Sequence, residues 1–193
     1  MERKFQDDAK TSYLDKGQFT DITLLDTCVA YVKPLLEIQP EIIVFNKTCR
    51  QKRNVGFFSN ESIGYNYSRK TMKAKPLNPE LSQLLTTVNT LLDADFNGIL
   101  VNEYEDGTQY ISAHSDDESG LSIVGVVSIS YGSERIFRIR DKKNKTILHD
   151  ETTTHGSIIH MGGAFQSLYT HEIPVQKKIK TPRISLTFRK HLK

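Results

Sequence analysis

At 193 residues, with 37% hydrophobic and 25% charged side chains, the chain is sized for one globular domain with a sizeable core. No apolar run nears the roughly 20 residues of a membrane helix, and the charged start MERKFQDDAK lacks a secretory signal's apolar stretch. An intracellular, reducing compartment without a membrane partner is therefore expected. The net charge of +3 is unevenly spread: eight Lys/Arg against Glu61 alone from Lys47 to Lys75, seven and no acid from Lys177 to Lys193, and −11 over the remainder.

Along the chain, a first helix is expected within residues 25–37. Cys28 and Cys49 form no Cys-x-x-Cys pair and suggest neither a zinc site nor a disulfide framework. One basic run is usually a solvated face, but two on an otherwise acidic chain point to a polyanionic partner. NPELSQLLTTVNTLLD reads as a second helix, with Asn78 as N-cap, Pro79 at the first helical position, and a core stripe of Leu81, Leu84, Leu85, Val88, Leu91 and Leu92. From residue 97 the pattern becomes short strands: GILVNEY, IVGVVSISY, ERIFRIRD, KTILHDE, GSIIHMGG, QSLYTHEI and RISLTFRK, broken by turns such as EDGT, YGSE and MGGA. That spacing predicts an antiparallel barrel or jelly roll, mainly β, backed by N-terminal helices.

The first chemistry-bearing stretch is HSDDE. If it is extended, His114, Asp116 and Glu118 face one way while Ser115 and Asp117 face the other. A His-x-Asp pair on one face supplies two of the three ligands of a 2-His-1-carboxylate site, which leaves positions open on Fe(II). Alone the signal is weak, since about 0.4 such pairs are expected by chance in this composition. The third ligand has candidates in His149, His155, His160, His171 and His191. His160 suits a packed strand, His149 and His155 flank a polar turn, and His191 lies in the tail. His171 ends an apolar strand that a jelly roll can bring beside the one after His114.

In the last strand, Arg183, Ser185, Thr187 and Arg189 share one face, and Ile184, Leu186 and Phe188 the other. Arginines that point into a cavity need anions, and their separation suits opposite ends of a small dianion. Asn102 and Tyr104 share a face of GILVNEY and add groups able to bond a carboxylate.

The order LVNEY…HSDDE…H…PRISLTFR, over roughly residues 40–190, resembles the AlkB family of Fe(II)/2-oxoglutarate-dependent nucleic-acid dealkylases. The resemblance implies a single dioxygenase domain with a double-stranded β-helix (jelly roll) core over about 96–193. N-terminal helices and a nucleotide-recognition lid would occupy about 1–95. It implies His114, Asp116 and His171 as iron ligands, with 2-oxoglutarate and O2 as cosubstrates. Arg183 and Tyr104 would grip the distal carboxylate, Asn102 and Arg189 would lie near the end that chelates iron, and Thr187 belongs to the same strand motif. Ser185 stands where the family's strand usually carries Asn, and can still donate one hydrogen bond. RNVGFFSNESIGYNYS looks like the lid, with Arg53, Phe58 and Tyr67 at its characteristic positions. An aromatic there could stack on an extruded base, and the basic residues would hold phosphates. Glu118 aligns with the acid placed against a cationic methylated base. The implied activity is oxidative demethylation of 1-methyladenine- or 3-methylcytosine-type bases in DNA or RNA by a monomer, with release of formaldehyde, succinate and CO2. The alternatives are a 2-oxoglutarate dioxygenase for another substrate class and an inactive nucleic-acid-binding module.

Overall fold

The structure, a computed structural model, describes residues 1–44, 46–62, 64–67, 70–116 and 124–191. From the N-terminus, β1 (Glu2–Gln6) and β2 (Ser12–Gln18) form a hairpin that leads into α1 (Ile22–Val32). Strands β3 (Glu41–Val44) and β4 (Lys47–Arg50) pair as a second hairpin. After β5 (Asn54–Phe58), β6 (Gly64–Tyr67) and β7 (Lys70–Lys73) pair as a third. Helix α2 (Pro79–Leu92) is followed by β8 (Gly98–Tyr104), β9 (Ile111–His114), β10 (Val126–Gly132), β11 (Arg135–Asp141), β12 (Ile147–Thr153) and β13 (Ser157–Gly163). A single helical turn, α3 (Phe165–Leu168), then precedes β14 (Tyr169–Ile173) and β15 (Arg183–Arg189). Among the described residues, no helix is long and apolar enough to cross a membrane.

Both expected helices form, α2 at its expected bounds and α1 three residues earlier than the expected span of 25–37, ending at Val32 before a single tight turn over Lys33–Leu35. The Asn78 Oδ1 accepts from the Leu81 amide at 2.9 Å, satisfying one of the amides that a helix start leaves free. Leu81, Leu84 and Val88 are buried, whereas Leu91, at the edge of the predicted stripe, is exposed. The N-terminal region also adds something the sequence reading did not anticipate. Strand β2 pairs with β13, and β5 pairs with β8, so residues expected to supply helices and a lid also extend the main sheet at both ends. Charges on β2 hide its strand character, and Lys16 is accommodated by a 2.8 Å ion pair with Glu151.

Seven strands form the larger sheet in the order β1-β2-β13-β10-β15-β8-β5, and four form the smaller in the order β12-β11-β14-β9. Strand parity divides the core in two. Ile184, Leu186 and Phe188 of β15, with Ile99 and Val101 of β8, pack against Leu25, Val29, Leu84 and Val88 of the helices. On the opposite face, Tyr104, Val126, Ile159 and Met161 meet Phe137, Ile139, Tyr169 and Ile173 of the smaller sheet. Burying each such large apolar side chain contributes about 1.5–3 kcal/mol, so both faces of the larger sheet are strongly held. The jelly-roll interior lies between the two sheets, and the polar face of β15 points into it.

Candidate active site

Strand pairing assembles the site. In the β9–β14 ladder His114 stands directly opposite His171, and their ring centroids are 4.3 Å apart. Strand β9 ends at His114, and the irregular backbone that follows turns Asp116 back toward both rings. The ligating atoms of His114, Asp116 and His171 all lie within 4.8 Å of one another. Each is fixed from outside. The His114 Nδ1 lies 2.8 Å from the Ser112 carbonyl, which leaves Nε2 for another partner. Phe137 stacks on the His171 ring at 5.1 Å and 11°. The Asp116 amide donates to Gln166 Oε1 at 2.9 Å, and Ser115 Oγ donates to the Tyr169 carbonyl at 3.0 Å.

The charges in this cluster oppose one another. Burial alone would raise the Asp116 carboxyl, but Arg189, His171 and His114 outweigh it and hold the group well below the usual carboxylate range. Burial pushes His171 down to about 3, with His114 adding to the fall, and burial likewise lowers His114. At neutral pH the trio is therefore one carboxylate and two neutral imidazoles, the donor state that a cation requires.

The opposite wall is built in rows across three strands. Arg183 pairs in register with Tyr104, Ser185 lies between Asn102 and Ser130, and Thr187 between Leu100 and Ser128. The short hydroxyl side chains leave the space between the two arginines. Arg189 lines the same cavity, and its Nη2 reaches Asp116 Oδ1 at 2.9 Å, which joins this arginine to the trio. Arg183 differs. It is 2% exposed and donates to Ser130 Oγ at 2.9 Å, while among the described residues its Nε and Nη1 have no hydrogen-bond partner. Arg53 lines the same cavity and donates from Nε to Asn102 Oδ1 at 2.7 Å. The free space among these side chains is about 40 Å³, little more than one water's share of liquid, so a larger ligand must part them.

Phe58 is not part of this site. It is fully buried among the helix-side core residues, with its ring centroid 6.1 Å from that of Tyr31. Strand parity sends it away from the interior, and the expected stacking role is withdrawn. Arg53, Arg183 and Arg189 are buried too, so the two basic segments expose less charge than their composition suggests. Tyr67 ends β6, but its side chain lies outside the described residues, as do Asp117 and Glu118. Gln166, Phe137, Ser128, Ser130 and Met161 escaped the sequence reading, since no motif marks them. Only the alternation in VVSISY hinted that both serines face inward. A larger groove of about 1250 Å³ lies elsewhere, between α1 and the ends of β8, β10 and β15, and none of the trio lines it.

Residues 20–189 match the 2OG-Fe(II) oxygenase superfamily. The DNA oxidative demethylase ALKBH2 of Mus musculus is 31% identical over 160 residues, which cover 79% of this chain and 67% of that protein. The alpha-ketoglutarate-dependent dioxygenase alkB homolog 3 of Bos taurus is 32% identical over 152 residues, 74% of this chain and 52% of that protein. The chain spans about half to two-thirds of the length of the curated relatives it matches. The solved structure of OsALKBH1 shares the fold, with a TM-score of 0.61 at 16% identity, covering 93% of this chain and 98% of that one. Jelly roll and trio together define the class of 2-oxoglutarate oxygenases. The chain belongs to the 2OG-Fe(II) oxygenase superfamily and, within it, to the AlkB family. Fe(II), 2-oxoglutarate and O2 are the cofactor and cosubstrates of that superfamily. The residues present fit them: two imidazoles and a carboxylate suit a six-coordinate Fe(II) with open positions, and the free donors of Arg183 suit a buried carboxylate.

Proposed function

We propose that the chain is an Fe(II)- and 2-oxoglutarate-dependent dioxygenase that demethylates 1-methyladenine- and 3-methylcytosine-type bases in DNA or RNA. The observation that carries this reading is the His114–Asp116–His171 cluster facing a buried Arg183 whose Nε and Nη1 lack hydrogen-bond partners among the described residues. In this reading His114, Asp116 and His171 hold Fe(II). Arg183 and Tyr104 take the distal carboxylate of 2-oxoglutarate, while Asn102, Ser185 and Thr187 line its path. Arg189 lies near the end of 2-oxoglutarate that chelates iron and, paired with Asp116, orients that ligand. Iron with its cosubstrates supplies the oxidation of the N-methyl group; the chain positions the ligands and excludes bulk water from a closed interior. Arg53 at the cavity wall, Tyr67 and Glu118 serve the nucleotide, the carboxylate answering the positive charge of a methylated base. The relatives named as DNA oxidative demethylases support the nucleic-acid substrate. The chain works as a monomer and one domain, in a reducing intracellular compartment that suits its two free thiols.

The test is a panel of methylated single- and double-stranded DNA and RNA oligomers, supplied with Fe(II), 2-oxoglutarate and O2. Equimolar formaldehyde and succinate, with the unmethylated base by mass spectrometry, are expected. Succinate formation without loss of any methyl group would redirect the reading to a different substrate class.

A further inference from the structure

Two arginines touch the Tyr104 ring, and only one of them lines the cavity. The guanidinium carbon of Arg183 lies 5.6 Å from the ring centroid, and that of Arg135, at the start of β11 in the opposing sheet, lies 5.5 Å from it. Arg135 is 1% exposed, and among the described residues no carboxylate forms an ion pair with it. Its fork is taken up by backbone: Nη1 donates to the Asp106 carbonyl at 3.2 Å, and Nη2 to those of Gln109 and Pro174 at 2.9 and 2.8 Å. Nε donates to Gln176 Oε1 at 3.2 Å. The first two carbonyls lie just after β8, which ends in Tyr104, and the third just after β14, which carries His171. Carbonyl dipoles solvate the cation and the Asp106 carboxylate favours its charged form, so two positive groups, Arg183 and Arg135, flank one aromatic ring.

The geometry points to Arg135 as a positioning residue for the distal carboxylate of 2-oxoglutarate: it never meets the ligand, but anchors Tyr104 beside Arg183 and adds a second charge behind the ring. This rests on the reading of the cavity as a 2-oxoglutarate site. A unit charge roughly 10 Å away at an effective dielectric of about 20 changes affinity by about tenfold.

The test is calorimetric titration of the Mn(II)-loaded full chain with 2-oxoglutarate and with 2-oxopentanoate, which keeps the 2-oxo acid end but lacks the distal carboxylate. Arg135→Met is expected to weaken 2-oxoglutarate about tenfold and 2-oxopentanoate less than twofold. Gln176→Ala, which frees one tooth of the fork, is expected to weaken 2-oxoglutarate alone by about threefold, and carries the test should Arg135→Met not fold. Equal losses for both ligands, or unchanged 2-oxoglutarate affinity in both variants, would overturn the inference while leaving the site reading intact. A wild-type protein with no preference for 2-oxoglutarate over 2-oxopentanoate would overturn both.

Discussion

Arg183→Met separates a stability role from a ligand role, because the arginine has free donors but little protein to hold. Among the described residues its Nε and Nη1 have no hydrogen-bond partner, and only Ser130 Oγ receives a bond from it, at 2.9 Å. Burial pulls its pKa down to about 10, so the group stays cationic at neutral pH in a place where a cation is costly. Methionine fills a similar volume without charge. In the absence of ligand the variant should therefore melt at the wild-type temperature or above it, since replacing a buried charge by a packed apolar group is often neutral or stabilising. Toward 2-oxoglutarate the effect is opposite. Two charge-assisted hydrogen bonds at about 1.5–3 kcal/mol each are lost, which corresponds to at least about a hundredfold weaker binding. Calorimetry on the Mn(II)-loaded protein, together with the cosubstrate dependence of succinate formation, measures this. A 2-oxoglutarate affinity within about threefold of wild type would refute the assignment of Arg183, and a large fall in melting temperature would show that its role is structural.

Asp116→Ala removes the carboxylate of the trio and should weaken Mn(II) binding by roughly a hundredfold or more, read by electron paramagnetic resonance, and abolish 2-oxoglutarate turnover; undiminished metal binding would sink the site. Asn78→Ala deletes the cap of α2 and should cost about 1 kcal/mol, or roughly 2–4 °C in melting temperature, with no change in 2-oxoglutarate affinity. Gly107→Ala would set a Cβ 1.9 Å from the Gln176 carbonyl oxygen, where the loops bridged by Arg135 meet. A loss of about 1–3 kcal/mol by thermal melting is expected, and an unchanged melting temperature would contradict the close approach of these loops.

Residue alternation alone carried much of the site. In PRISLTFRK the polar and aliphatic residues take opposite faces as their parity requires, because a β-strand turns successive side chains through 180° whatever lies around it. The α2 cap and stripe were legible for the same kind of reason, since helix ends and helix faces are set by neighbours within a few residues. Where charge interrupts the alternation, as in β2, the signal fails, although Leu14 is fully buried and Lys16 has its own partner in Glu151.

What lay beyond local reach was the choice of partners. Residue type alone did not separate His171 from four other histidines; its strand position and the family resemblance pointed to it, and the β9–β14 ladder sets it opposite His114. Arg189 and Arg183 look alike in sequence, yet one meets Asp116 across the interior while the other keeps free donors. Phe58 carried a motif position but lies on the helix side of its sheet. Arg135 carried none, although it reaches three carbonyls on two loops. By itself the sequence determined which residues carry charge, ligating atoms and face; the tertiary structure decided which of them meet. A side chain's chemistry and parity are properties of its own segment, whereas a contact between segments distant in the chain depends on strand register, which no single segment encodes.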